Sequence, residues 1–119
     1  VYSYGWYMRK FVRDTKAKGA IPIICSLVPR NSWKEGKVQR SADSWALWAK
    51  QVAEQEGAFF IDLNELAAAE YDKMGQEAVK AFFPSDNTHT NMDGAKLNRD
   101  IVIQQLRSLN PGKISQYLR

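Results

Sequence analysis

His89 is the only histidine in the 119-residue sequence, and Asp86 stands three positions before it in the polar stretch AFFPSDNTHTNMDGAK, residues 81–96. Residues three apart in a turning loop can reach the same side. A carboxylate oxygen of Asp86 can then accept from the imidazole Nδ1–H, which fixes the tautomer and leaves Nε2 free as a general base. The plain alternative is that Asp86 caps a turn and His89 is a surface residue. The D-x-x-H spacing alone leaves both readings open. A base also needs something to activate, and no nucleophile is evident. There is no Gly-x-Ser-x-Gly elbow; Ser26 lies in an apolar run, Ser32, Ser41 and Ser44 fall in a loop or at a helix start, and Ser85 adjoins Asp86. One histidine with scattered carboxylates lacks the cluster a zinc site requires, so neither a metal nor a cofactor is expected.

The elements that must hold this pair read as an α/β order. Residues 4–18 place Tyr4, Tyr7, Met8, Phe11, Val12 and Thr15 on one stripe with Lys and Arg opposite, an amphipathic helix ended by Gly19. AIPIICSLV is a continuous apolar run, read as a strand buried on both faces, with Pro22 near its start. PRNSWKEGKVQR reads as a polar loop longer than a connector needs, a candidate binding loop. Over residues 41–56, Trp45, Trp48, Ala49, Val52 and Ala53 recur at helical spacing up to Gly57, and AFFID follows as a second short buried strand. Asp62 and Glu65 form an approximate capping box for a helix that breaks near Gly75 and resumes to Pro84. Asn91 can cap a last helix carrying Ala95, Leu97, Ile101, Val102, Leu106 and Leu109, which Pro111-Gly112 ends.

This order predicts that residues 21–27 and 59–62 are parallel neighbours with helices on both faces. Two buried strands are few for the apolar helix faces they must meet. The chain therefore reads as one partial domain over residues 1–119, the second half of a larger doubly wound fold with strands missing from its start.

Composition narrows the function classes. An apolar share of 45% and a charged share of 25% are ordinary for a globular domain, and no apolar run approaches the ~20 residues that span a bilayer. Residues 1–50 carry ten Lys/Arg against three Asp/Glu, and the remainder seven against ten. The basic residues are scattered singly, which fits solvated helix faces and gives no nucleic-acid partner. Cys25, alone and inside an apolar run, is expected to be buried and inert.

FFPSDNTHTNMDGA resembles the last motif block of the SGNH (GDSL-like) hydrolases, in which a D-x-x-H pair precedes the final helix. Its form here, with Asp86, Thr88, His89, Thr90, Gly94 and Ala95, is similar to the rhamnogalacturonan acetylesterase group in particular. YGWYMRKFVRDTKAKGAIPIICSLVPRNSW is similar to that group's helix, strand and following loop. The resemblance implies a flavodoxin-like three-layer α/β/α fold and a serine esterase mechanism, with His89 as base and Asp86 as its orienting carboxylate. It implies an acetylated, pectin-like polysaccharide as substrate and a secreted or periplasmic setting. The family's nucleophile and oxyanion motifs lie in its N-terminal half and have no counterpart here. Arg30 could meet a galacturonate carboxylate and Trp33 could stack on a sugar; a solvated Arg and a Trp covering the core edge are equally open. An exposed sheet edge would favour self-association or pairing with a matching N-terminal half. The alternative function is a catalytically incomplete α/β module with a binding or structural role.

Overall fold

The structure, a computed structural model, describes residues 3–118. Helix α1 (Tyr4–Ala17) starts at Ser3, whose hydroxyl accepts from the Trp6 N–H. Strand β1 (Ile23–Cys25) follows, then a hairpin of β2 (Trp33–Lys34) and β3 (Lys37–Val38). Helix α2 (Trp45–Glu56) leads to β4 (Phe59–Ile61), α3 (Leu63–Met74), the short α4 (Gln76–Lys80) and α5 (Met92–Leu109), with a final 3₁₀ segment at Pro111–Tyr117.

β1 and β4 pair in parallel, Ile23 opposite Phe59 and Cys25 opposite Ile61. Side chains alternate across a strand, and the core divides accordingly. Ile24 and Phe60 pack with Val12 of α1 and with Ala49, Val52 and Ala53 of α2. Ile23 and Ile61 pack on the other face with Leu63 and Ala67 of α3 and Ile101 of α5. The result is an α/β/α sandwich whose middle layer has two strands, as the apolar runs and the intervening helix predict. Asp62 caps α3 by accepting from the Glu65 N–H at 3.3 Å. The return half of the expected capping box is absent because Glu65 turns to Arg40 instead, at 3.0 Å.

Three expectations are corrected. Both strands are shorter than the apolar runs that announced them, and the two ends of the first run fall outside β1 and stay open: Ile21 and Leu27 are 50% and 57% exposed. Cys25 is exposed rather than buried, because β1 pairs only with β4 among the described residues and its other edge is open. The presumed loop of residues 29–40 contains the β2–β3 hairpin. Its two-residue turn places Glu35 at φ 51° and Gly36 at φ 75°, the twist that such tight hairpins require. Asp72 of α3 locks the hairpin down, accepting from the Val38 N–H and pairing with Arg40, both at 2.8 Å. The whole is flat, 45 × 39 × 22 Å, with a radius of gyration of 15.5 Å. A compact chain of this length would have roughly 13–14 Å, so a substantial share of helix and sheet surface has no layer over it.

Gly94, in the first turn of α5, is where the segment bearing His89 meets the helix. A Cβ there would lie 2.9 Å from Thr90 Cβ and 3.0 Å from Phe82 Cβ. Neither neighbour is a flexible chain end. Gly94→Ala would gain up to about 1 kcal/mol in helix propensity but force a core shift worth ~1–3 kcal/mol. The net expectation is a loss of stability by several degrees in thermal unfolding. An alanine variant at least as stable as the parent would remove the close approach as the reason for glycine here.

Candidate active site

The segment between α4 and α5 is built by short-range hydrogen bonds. Asp86 Oδ1 accepts from the backbone N–H groups of Thr88 and His89, each at 2.7 Å, which closes the turn. Asp86 Oδ2 lies 2.7 Å from His89 Nδ1. An ionised carboxylate only accepts, so Nδ1 carries the proton and the neutral ring keeps Nε2 as an open acceptor. The two readings of Asp86 are therefore both realised: one oxygen caps the turn and the other holds the ring. The His89 hydrogen bond, followed by the two backbone N–H groups, holds the Asp86 carboxyl down at about 2, below the usual carboxylate range. The His89 side chain is 81% exposed, so Nε2 faces solvent.

Asn91 fastens this turn to the fold. Its side-chain oxygen caps α5 through the Asp93 and Gly94 N–H groups at 3.1 Å. Its amide donates to Ala81 O at 2.9 Å, and its backbone N–H donates to Phe82 O at 2.7 Å. A second anchor crosses to the loop after β1, where the Asn31 N–H donates to Asn87 O at 2.8 Å. The expected pair thus sits beside the expected binding loop. Asn31, Asn87 and Asn91 are the positioning residues that sequence reasoning under-used. Asn91 acts through its side chain, the signal its capping position gives; the Asn31–Asn87 link is made by the backbones and has no side-chain signal.

Beneath these loops, the carboxyl ends of β1 and β4 are tied by a buried knot. The Ser26 hydroxyl donates to Asp62 Oδ1 and accepts from the Asn64 N–H, both at 2.8 Å. Asn64 in turn donates to Leu27 O at 2.9 Å and accepts from the Ser41 N–H at 2.8 Å. Ser26 is 3% exposed and fully engaged, so it cannot serve His89 as a nucleophile. The Ser32 hydroxyl is engaged with Gln39 at 2.6 Å. No group of three His, Cys, Asp or Glu among the described residues could hold a metal ion.

A cavity of about 410 Å³ opens above the knot, with Arg30, Asn64, Asn87 and Trp45 in its walls. Arg30 is exposed there and has no ion-pair partner among the described residues. Trp33 is half-buried instead: its indole donates to Asn31 Oδ1 at 2.7 Å, and its ring packs beside Val38, Tyr71 and Phe83. Arg30 and Trp33 therefore stand in different surroundings, one on an open wall and one on the core edge.

No family model matches the chain. In sequence it is 29% identical over 87 residues to a rhamnogalacturonan acetylesterase of Emericella nidulans, covering 73% of this chain and 36% of that protein. It is 26% identical over 112 residues to the probable rhamnogalacturonan acetylesterase YesY of Bacillus subtilis, covering 90% of this chain and 52% of that protein. In structure it matches YxiM of Bacillus subtilis with a TM-score of 0.80 at 29% identity, over 89% of this chain and 31% of that one; the same protein is described elsewhere as an uncharacterized esterase. The chain thus spans about a third to a half of the curated rhamnogalacturonan acetylesterases it matches. Sequence and fold agree with the resemblance first carried by Asp86, His89 and Gly94: over most of its length this chain is similar to the rhamnogalacturonan acetylesterases and to the esterase YxiM.

Proposed function

We propose that this chain is the C-terminal half of a serine esterase domain that removes acetyl groups from a pectin-like polysaccharide, and that it contributes the His89–Asp86 pair of a Ser–His–Asp triad. The observation that carries the reading is the 2.7 Å contact between His89 Nδ1 and Asp86 Oδ2 with the rest of the ring open to solvent. A seryl oxygen hydrogen-bonded to Nε2 would lose its proton to His89 as it attacks the ester carbonyl. The imidazolium, stabilised by Asp86, would then return that proton to the leaving alcohol. Serine and oxyanion donors would come from the N-terminal half of the domain. Of the two candidate substrate contacts, Arg30 lines the cavity beside Asn87 and is the cation a uronate-containing substrate would meet there, whereas Trp33 stands on the core edge outside that cavity. The relatives' names support the ester and the polymer. The second reading, an incomplete module with a binding or structural role, is favoured by one observation: the His89 ring is held by Asp86, the Ser26 and Ser32 hydroxyls are engaged elsewhere, and the Ser41 hydroxyl, though without a hydrogen-bond partner, is buried.

Purified alone, the chain should hydrolyse aryl acetates no faster than free imidazole. A positioned base is worth ~10²–10⁴ in rate only when it has a nucleophile to deprotonate. Combined with the N-terminal half of a rhamnogalacturonan acetylesterase it should gain activity, and His89→Ala should remove that gain. Histidine-dependent turnover by the chain alone would mean that a serine in this half is the nucleophile. No gain on combination would leave the module reading standing.

Asp86 also sets a pH expectation. Its folded pKa is depressed, so its hold on the His89 loop is complete above the unfolded carboxylate value of ~3.9 and is lost as pH falls through about 2. Carboxyl NMR should show Asp86 titrating near 2, and any acid limb of the activity profile above pH ~4 should survive in Asp86→Asn at lower amplitude. An Asp86 carboxyl titrating in the ordinary range would contradict the paired geometry.

A further inference from the structure

α1 runs antiparallel to the strand that follows it, and α2 begins after the hairpin, so both helix N-termini come to the rim formed by the carboxyl ends of β1 and β4. That rim is where open α/β sheets bind ligands. Three aromatic residues meet there. Tyr4 and Trp45 lie 5.3 Å apart at 80°, Trp45 and Trp48 5.0 Å apart at 72°. Despite these edge-to-face contacts, Trp45 and Trp48 remain 45% and 41% exposed. Trp45 forms a wall of the same 410 Å³ cavity that Arg30 and Asn87 line, a size that accommodates a small ligand unit. A smaller hollow of about 300 Å³ lies on the far side, between Tyr4, Trp48 and the amide of Gln51.

Open aromatic rings edged by amides and an unpaired guanidinium suit a ligand with apolar faces and hydroxylated edges. A pyranose has both: its axial C–H faces stack on rings, and its equatorial hydroxyls bond to amides. A purely apolar protein partner would bury Arg30, Asn87 and Gln51 without partners, at a cost for each. We propose that Tyr4, Trp45 and Trp48 form a sugar-stacking platform, which holds a pyranose unit of an oligosaccharide one cavity away from the residue presented to His89. This rests on the polysaccharide reading above, and it adds a second contact point that would make the site prefer oligomers over monosaccharides. Arg30, between the platform and the His89 loop, would favour uronate-containing chains.

The test is binding to the full chain, read from the indole N–H resonances of its four tryptophans. The probes are a galacturonate–rhamnose hexasaccharide, galacturonic acid alone, and a neutral gluco-hexasaccharide. The hexasaccharide should shift the Trp45 and Trp48 signals, bind more tightly than the monomer, and weaken roughly tenfold in Trp45→Ala or Trp48→Ala. Trp45→Phe and Trp48→Phe, which keep a ring, should hold affinity within about threefold, and Arg30→Gln should weaken the charged probe but not the neutral one. The assignments are read in the parent chain, so the result stands even if an alanine variant does not fold. Shifts confined to other tryptophans, equal binding of monomer and hexamer, or self-association through Trp45 and Trp48 in place of sugar binding would each overturn the proposal. Because the readout is binding, failure of histidine-dependent esterase activity with these shifts present would count against the triad alone. Intact esterase activity without them would count against the platform alone.

Discussion

The rim that carries the candidate site depends on Asn64. It is 3% exposed, and through its backbone and amide it fixes Ser26 at the end of β1, the Leu27 carbonyl beyond it, and the Ser41 N–H ahead of α2. Each bond nets only about 1 kcal/mol, but a buried donor or acceptor left without its partner costs ~1–3 kcal/mol. A buried side chain with two such partners, Leu27 O and the Ser41 N–H, is therefore expensive to lose. The Leu27 end of this knot sets the course of the loop that carries Arg30 and reaches Asn87. The Ser41 end sets where α2 begins, and with it where Trp45 stands. A short parallel pair of strands could not position those loops by itself.

Much of the layering was legible because it depends on period and composition. Continuous apolar runs at Ile23 and Phe59, joined by a helix, leave little choice but a parallel pair. Gly57, Asp62 and Asn91 mark helix ends by the chemistry of caps and left-handed turns, and all three act as expected. What the sequence could not show is which apolar faces receive a covering layer. Val12 and Phe11 read alike on the α1 stripe, yet Val12 is 3% and Phe11 62% exposed, because Val12 packs into the cluster with Ile24 and Ala49 whereas Phe11 lines an open hollow beside β1. Cys25 misled for the same reason. The hairpin at Trp33 and Val38 was missed because Glu35-Gly36 is a weaker turn signal than Asn-Gly, and each strand has only two residues.

The contrast between local and distant contacts also explains why one part of the candidate site is complete in this chain. Asp86 and His89 find each other across three residues, and Asn91 closes the segment across ten. Loops this short lose little entropy on closure, and the turn that positions His89 is formed by the same carboxylate that orients its ring. The pair needs only α5 and the end of α4 beneath it, with Gly94 allowing the approach. It therefore forms without a nucleophile and without further strands. A nucleophile has no such local route. In the proposed triad it would arrive on another element, aligned to within about 0.5 Å of the productive geometry, and the surface it would align against is the rim that Asn64 holds together. In the proposed triad the His89 turn would supply the base, while the knot under β1 and β4 would determine whether a partner element finds that base in the right place.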